Sequence, residues 1–156
     1  MRSIGEREAV QITEARAVLE GLAARHAAIA ATDHDLSAIQ AIHAEMGPQV
    51  ERGDLWAYLD ANRRLHACIV KACGHATAQR LLDVLNAQLV RFQYRTIFLA
   101  PGRAQQSLDE HTDLVEALVQ RDPDRAEAAM TRHLGNVAMT LHVVGARDPI
   151  VTGGAG

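Results

Sequence analysis

Hydrophobic positions recur every three to four residues along most of the chain, which is the period of an amphipathic α-helix. Six segments show this pattern, and each ends near a proline, a glycine or a capping residue. They span about residues 7–31, 35–52, 55–72, 77–99, 103–120 and 123–144. No segment has the alternating, β-branched pattern of a strand. Because the connections are short, the pattern predicts an all-α fold, an antiparallel helical bundle.

Each segment has an apolar face that we expect to point into the bundle. In the first segment this face consists of Ile12, Ala15, Val18, Leu19, Leu22, Ala23 and His26. In the fourth segment it consists of Leu81, Leu82, Leu85, Leu89 and Phe92. Pro48 lies inside the second segment, where we expect it to bend the helix or to end its regular part.

Composition agrees with a single soluble domain. The chain has 156 residues, of which 48% are hydrophobic, 22% charged and only 3% aromatic, so its core must be mainly aliphatic. The net charge of −3 gives no dominant positive field that would attract nucleic acid. Cys68 and Cys73 lie about 140° apart on a helix and are expected to be free thiols. With no signal peptide and no membrane span, we expect a cytoplasmic protein that does not contact a membrane.

Polar residues interrupt three of the apolar faces. Asn62 and His66 lie four residues apart on the inward face of the third segment, and His111 and His133 lie on the inward faces of the fifth and sixth. Buried polar groups need partners, and imidazole is a common ligand of divalent transition metals. Facing helices could bring the three histidines to one ion. From spacing alone, a shared metal site and separately hydrogen-bonded core histidines both remain open.

Short motifs also occur in a fixed order between residues 10 and 144. They occupy residues 14–24, 62–66, 72–75, 101–103, 117–122 and 126–134, together with Ser107, Glu110 and His111. This ordered set resembles the FCD domain, the C-terminal effector-binding domain of the FadR group of GntR-family transcription regulators. The resemblance implies a bundle of six to seven helices with a central pocket. In many members that pocket holds a divalent metal and a small carboxylate effector.

The resemblance also implies a set of metal ligands. Carried over by position, they are Asn62, His66, His111 and His133. Asn62 stands where the family has an aspartate, so the site loses a negative ligand and becomes richer in nitrogen. Such a site suits zinc or nickel.

Basic side chains beside the pocket would hold the far end of a small organic acid. Arg91 and Arg95, one turn apart in the fourth segment, and Arg16 at the inward edge of the first are the candidates. The alternative for each is a solvated or salt-bridged arginine.

The resemblance further divides the chain into three parts. Residues 1–11 form an N-terminal remnant or linker, residues 12–144 the effector-binding domain and residues 145–156 a flexible tail. The family's winged helix-turn-helix is absent from this sequence, so DNA contact is expected only through such a domain elsewhere. A homodimer is what the family implies.

Two other functions remain open at this stage. The first is a mononuclear metal-dependent enzyme, and the second is an inert helical dimerisation module. An enzyme is disfavoured because no carboxylate is placed as a general base beside the histidines. Glu110 adjoins His111 in sequence but points about 100° away from it on a helix.

Overall fold

The computed structural model describes residues 4–90 and 92–147. These residues form seven α-helices and no strand, which confirms the all-α fold class. In chain order, the helices are α1 (Glu6–Ala30), α2 (Asp33–Glu51), α3 (Leu55–Ala72), α4 (Ala76–Leu89), α5 (Gln93–Leu99), α6 (Arg103–Val119) and α7 (Pro123–Ala146). Within the described ranges, no helix is both long enough and apolar enough to cross a membrane.

The fourth predicted segment is two helices rather than one. Helix α4 ends at Leu89, and α5 begins at Gln93 after a turn in which the Phe92 N–H donates to the Leu89 carbonyl at 2.8 Å. This break lets Phe92 pack beside Leu89 in a small apolar cluster with α1, while Ile97 of α5 joins the main core. One continuous helical face could not reach both clusters.

The predicted capping residues at the starts of α2 and α7 agree with the structure. Thr32 and Asp35 form a capping box at the start of α2, and the Asp122 side chain accepts the Arg125 N–H at the start of α7. Helix α2 continues through Pro48 to Glu51, so this proline does not end it. Helix α1 begins at Glu6, inside the predicted N-terminal remnant, and α7 extends into the predicted tail as far as Ala146. Residues 148–156 of that tail lie outside the described residues.

The buried face of α1 differs from the predicted one. Val18 is 71% exposed, and Ala15 is exposed as well. The helix instead buries small and polar residues, namely Ala9, Thr13, Arg16, Ala17, Glu20, Gly21, Ala23, Ala24, Ala27 and Ala28. A Cβ atom at Gly21 would lie 2.5 Å from Thr131 Oγ1, so α1 and α7 approach each other too closely for a larger side chain there. The prediction was wrong for Ala15 and Val18, whereas Ile12 and Ala23 are buried as predicted. It followed the large apolar residues of α1, and the packing mainly selects small ones.

The other predicted faces agree better with the structure. The apolar faces of α2, α3, α6 and α7 point into the bundle as expected, with Met46, Leu65, Leu114 and Met130 at 0% exposure. On α4, Leu82 and Leu89 are buried as predicted, but Leu81 is 48% exposed, which corrects the prediction for that residue.

Candidate functional site

Three histidines from three helices meet inside the bundle. They are His66 of α3, His111 of α6 and His133 of α7, and all three are buried. One nitrogen of each ring lies within 4.8 Å of the others, and the Nε2 atoms of His66 and His111 are 3.2 Å apart. Helical periodicity alone had left open whether these residues share a site, and the fold brings them together.

Each of the three rings is oriented by a hydrogen bond at its Nδ1 atom. His66 Nδ1 donates to Glu20 at 2.5 Å, and His133 Nδ1 donates to Glu110 at 2.5 Å. His111 Nδ1 lies 3.3 Å from the Tyr58 hydroxyl. With Nδ1 protonated in each ring, Nε2 is left as a lone-pair donor.

Tyr58 completes the arrangement around His111. Its hydroxyl donates to Ser107 Oγ at 2.8 Å, so it accepts the proton of His111 Nδ1 rather than donating one. Ser107 lies one turn before His111 on α6, so both contacts of the hydroxyl come from one helix. Two carboxylates and one hydroxyl thus fix the orientation of the three imidazole rings.

The first carboxylate, Glu20, is 1% exposed and pairs with Arg16, one turn earlier on α1. Burial alone would raise the pKa of Glu20, but the charges of Arg16 and His66 outweigh it and lower the pKa to about 2. Glu20 is therefore ionised at neutral pH and accepts the His66 proton as a carboxylate.

The second carboxylate, Glu110, has more partners. Arg103 donates two hydrogen bonds to it, at 3.0 and 2.8 Å, and the Asn136 amide donates a third at 2.7 Å. Burial would raise the pKa of Glu110, but the hydrogen bonds from His133 and Arg103 lower it to about 2. Glu110 is thus also a carboxylate at neutral pH.

The pKa values of His111 and His133 are both lowered. Burial lowers the pKa of His111 well below its usual value, and the neighbouring His133 and His66 lower it further. Burial likewise lowers the pKa of His133 to about 4, although Glu110 opposes the shift. His111 and His133 are therefore neutral near pH 7, and the Nε2 atom of His111 lies 3.2 Å from that of His66.

The donor set fits a divalent transition metal. Two nitrogens at about 2.0–2.1 Å from one tetrahedral zinc ion are about 3.3 Å apart, close to the observed 3.2 Å between His66 and His111. Hydrogen-bonded carboxylates behind the imidazoles are also what metal-binding histidines typically have.

A cavity of about 520 Å³ opens beside the histidines. Its wall includes His66, His133, Asn62 and Arg103, together with apolar residues of α4, α5 and α7. Arg103 and Asn86 line this wall, and each has one inaccessible polar atom without a hydrogen-bond partner in the described chain, the Arg103 Nε and the Asn86 Oδ1. The volume lies in the range typical of small-molecule sites.

The other predicted site residues do not all lie on the cavity wall. Asn62 is half-buried on the cavity wall beside His66. Arg16 also lines the cavity, but Glu20 already holds its guanidinium. Arg95 is half-buried on α5 with its guanidinium 5.7 Å from the centre of the Phe92 ring, and it is not among the residues of the cavity wall. Arg91 lies outside the described residues.

Sequence reasoning missed the groups that hold the histidines in place. Glu20 was missed because the wrong face of α1 was expected to be buried, although its position four residues after Arg16 on an alanine-rich stripe was a usable signal. Glu110 was set aside because it points away from His111. That angle does not exclude contact with another helix, and Glu110 binds His133 of α7.

The chain resembles known proteins along most of its length. The family model of the FCD domain matches residues 11–136. The chain is 28% identical to the "Probable D-xylose utilization operon transcriptional repressor" of Paenarthrobacter nicotinovorans, over 97% of this chain and 66% of that protein. It is 30% identical to the "Putative L-lactate dehydrogenase operon regulatory protein" of Escherichia coli (strain K12), over 83% of this chain and 50% of that protein. The chain thus spans half to two thirds of the length of these relatives.

A solved structure agrees with this assignment at the level of the fold. A GntR protein of Streptococcus agalactiae matches with a TM-score of 0.69 and 24% identity, over 85% of this chain and 58% of that one. The two relatives are described as regulators of operons and not as enzymes, so a regulatory role replaces the enzymatic alternative. The chain belongs to the FCD domain family, the effector-binding regulatory domains of GntR-family transcription regulators.

Proposed function

We propose that this domain senses a small carboxylate effector through a bound divalent transition metal, with zinc or nickel as the metal. Asn62, His66, His111 and His133 are the proposed ligands. The observation that carries the proposal is the group of imidazole nitrogens that face one another while their opposite nitrogens are engaged. Imidazoles that are already oriented by a hydrogen bond at Nδ1 are suited to bind a metal ion through Nε2.

The supporting carboxylates argue for a metal over a purely structural cluster. A buried histidine that only fills the core needs one partner for each polar nitrogen. Here Glu20 and Glu110 satisfy the Nδ1 atoms of His66 and His133, and within the described part of the chain neither ring has a hydrogen-bond partner other than histidine at its second nitrogen. A metal ion would satisfy all the remaining nitrogens at once. When bound, it would supply a Lewis-acidic position that attracts an anionic oxygen.

The cavity supports a small anionic effector. It adjoins His66, His133 and Asn62, so a ligand inside it would reach the proposed metal. Arg16 and Arg103 also line this wall, so an anion inside the cavity would lie near two guanidinium groups. The names of the two relatives concern an operon for D-xylose utilisation and an operon for an L-lactate dehydrogenase.

Regulation would follow from the position of this cavity between helices. An effector that binds more tightly to one packing of the bundle shifts the population toward that packing. In a homodimer this shift would change how attached winged helix-turn-helix domains are presented to DNA. Dimer formation and DNA contact through such domains are parts of this proposal.

The direct test is the metal content of protein purified without an affinity tag or chelating column. We expect close to one zinc or nickel ion per chain by mass spectrometry, and heat of binding when small organic acids are titrated into the loaded protein. The His111→Ala and His133→Ala variants should lose the metal. His43→Ala is the matched control, since His43 is a half-buried histidine of α2 that contacts Thr112 outside the cluster. Protein that takes up neither Zn²⁺, Ni²⁺ nor Mn²⁺ would instead support the inert dimerisation module.

A further inference from the structure

The two longest helices, α1 and α7, lie side by side at the surface of the bundle and run in opposite directions. Gly21 of α1 lies close to Thr131 of α7, and Arg25, one turn later on α1, pairs with Asp124 and Glu127, which come earlier on α7. Because a glycine lies at their contact, the two helices approach closely and form one layer. One side of this layer packs on the rest of the bundle, and the other side is exposed to solvent.

The outer side of α1 carries an apolar stripe that the described part of the chain leaves uncovered. Val18 and Ile29 are 71% and 65% exposed, and they lie within about 20° of each other around the helix. Ala15 is exposed and Leu22 is half-buried on the same stripe. Their spacing of three, four and seven residues is typical of a helix that packs along another helix.

Helix α7 continues this apolar surface. Met139 is 67% and Val143 42% exposed, and the exposed Gly135 lies on the same side of the helix, within about 40° of Met139. Because α1 and α7 adjoin, their two stripes form one surface. We call it the α1–α7 face and define it by Val18, Leu22 and Ile29 of α1 with Gly135, Met139 and Val143 of α7.

Gly135 is a second observation that points to close packing on this face. It lies in the interior of α7, and a Cβ atom there would meet nothing within 4 Å. Packing within the described chain therefore gives no reason for a glycine, which destabilises the interior of a helix relative to alanine. Gly21 is different, because Thr131 leaves no room for a Cβ atom. Close approach of a second molecule to α7 would supply the missing reason for Gly135.

The charges beside the α1 stripe match those of a second copy of this chain. From α1 to the start of α2 they alternate in sign, in the order Arg7, Glu14, Arg25 and Asp33. When two α1 helices lie antiparallel with their centres together, Arg7 of one copy meets Asp33 of the other, and Glu14 meets Arg25. A parallel pair would bring like charges together at each position, which is unfavourable. A surface that is complementary to itself in this way fits a two-fold dimer.

The α1–α7 face is also large enough for a dimer. From position 11 to position 29 the stripe is about 27 Å long, and two adjacent helices are about 20 Å wide. Each copy thus presents roughly 500 Å² even in flat projection, and the accessible area of side chains exceeds the projection. Specific interfaces bury about 1,000 Å² or more in total over both partners. Two such faces together reach this size.

We propose that two copies of this chain form a dimer through the α1–α7 face, with their α1 helices antiparallel about a two-fold axis. Val18 lies near the axis, opposite Leu22 of the second copy. This inference rests on the proposed function, which includes a dimer, and it names the surface that forms it. Glu20 points about 160° away from Val18 around α1, so the dimer leaves the histidine cluster inside each copy.

Sedimentation equilibrium of the purified chain tests the proposal, because it measures the dissociation constant of a dimer. We expect the parent to be a dimer at micromolar concentrations. Val18→Glu and Met139→Glu each bury two like charges in the interface, so each should raise the dissociation constant about a hundredfold or more. The matched controls are Trp56→Glu and Val84→Glu, at residues 67% and 61% exposed on α3 and α4, which should change it less than about threefold. Circular dichroism checks that each variant is folded.

Gly135→Leu tests the close approach of the second copy to α7. Leucine meets no obstacle within the described chain and favours the helix, so the variant should melt no earlier than the parent at a dilution where both are monomers. It should nevertheless weaken the dimer about tenfold or more, because its side chain occupies space that the second copy fills. An unchanged dissociation constant would overturn the close contact at Gly135.

Paired charge reversal tests the antiparallel register. Arg7→Glu places two acidic residues together in the dimer and should weaken it about three- to tenfold. Arg7→Glu combined with Asp33→Arg exchanges the two charges and should recover most of that loss. A double variant that associates no more tightly than Arg7→Glu alone would overturn the register.

The outcomes distinguish this inference from the rest of the proposed function. A parent chain that stays monomeric would overturn the inference and remove the dimer from the proposed function, while metal uptake would still decide the sensing role. A dimer that survives both Val18→Glu and Met139→Glu, or that Trp56→Glu dissociates instead, would overturn the α1–α7 face and leave the proposed function standing. A chain that takes up no metal but dissociates in Val18→Glu would support this inference and overturn the metal-dependent sensor.

Discussion

Two carboxylates hold two histidines in the same way but are themselves held differently. Glu20 and Glu110 each accept a 2.5 Å hydrogen bond from an imidazole Nδ1, and each pairs with a buried arginine. Arg16 binds a single oxygen of Glu20 from one turn away on the same helix. Arg103 instead binds both oxygens of Glu110, and Asn136 of α7 adds a further hydrogen bond.

This difference gives the two carboxylates different structural roles. Glu20 connects α1 to α3 through its single contact with His66. Glu110 binds Arg103 in the first turn of α6, and it also binds two side chains of α7, His133 and Asn136. The Glu20 side therefore mainly orients a ring, whereas the Glu110 side also holds two helices together. The two carboxylates should accordingly differ in their effects on stability more than on metal binding.

The largest effect is expected for Glu110→Gln. Loss of this carboxylate leaves Arg103 buried without a counter-charge, and we expect the free energy of unfolding to fall by about 3–5 kcal/mol. Glu20→Gln should cost less, about 1–3 kcal/mol, because fewer hydrogen bonds are lost. Urea denaturation in the presence of a chelator measures both. The control is Glu116→Gln on the same helix, whose side chain is 56% exposed in its ion pair with Arg125, with an expected change within about 1 kcal/mol. Equal losses for Glu20 and Glu110 would contradict the distinction.

Glu20→Gln should weaken metal binding, even though it lowers the free energy of unfolding less than Glu110→Gln does. Without its carboxylate partner, His66 loses both its fixed orientation and part of its basicity, so Glu20→Gln should weaken metal binding about 10–100-fold. Competition with a chromophoric chelator measures the change. Glu14→Gln, an exposed glutamate on the same helix, is the matched control and should bind as the parent does. An unaltered affinity in Glu20→Gln would show that packing alone orients His66.

A smaller gain is expected from Asn62→Asp. A carboxylate at this position adds a negative ligand to a site whose other proposed ligands are neutral, and we expect about tenfold tighter metal binding. The same chelator competition measures it. If the affinity stays the same, Asn62 is not a ligand, and the proposed set reduces to the three histidines.

The smallest effect is expected for Tyr58→Phe, which extends the comparison to the third histidine. The hydroxyl makes uncharged hydrogen bonds to His111 and Ser107, so its loss should cost about 1 kcal/mol of stability. It should weaken metal binding less than Glu20→Gln does. Tyr94→Phe is the control, because Tyr94 is 43% exposed on α5. A loss of metal affinity larger than that of Glu20→Gln would show that this hydroxyl matters more than a carboxylate.

Much of the fold and the central histidines could be predicted from periodicity. His66, His111 and His133 stand on faces that are otherwise large and aliphatic, so a helical pattern places them inside. The same reasoning was only partly right for α1, where alanine is common on both sides of the helix. There the buried face is decided by how closely α7 approaches at Gly21, which is a tertiary property.

The supporting groups could be predicted only in part. The Arg16–Glu20 pair has a local signature at a spacing of four residues. The contact of Glu110 with His133 joins residues 23 apart, and it depends on how α6 packs against α7. The break between α4 and α5 has a similar origin, since it follows from where Phe92 finds its packing partners.

Helix α6 carries parts of the site at nearly every turn of its first half. Arg103, Ser107 and His111 follow one another at intervals of four, and Glu110 precedes His111 by one residue. Inserting or deleting a single residue between them would rotate one group against the next by about 100° and shift it by about 1.5 Å. Single substitutions can therefore retune this site one contact at a time, whereas a change in the length of α6 would dismantle it in one step. Natural variation in the length of related chains should accordingly occur in the connections between helices and not within this one.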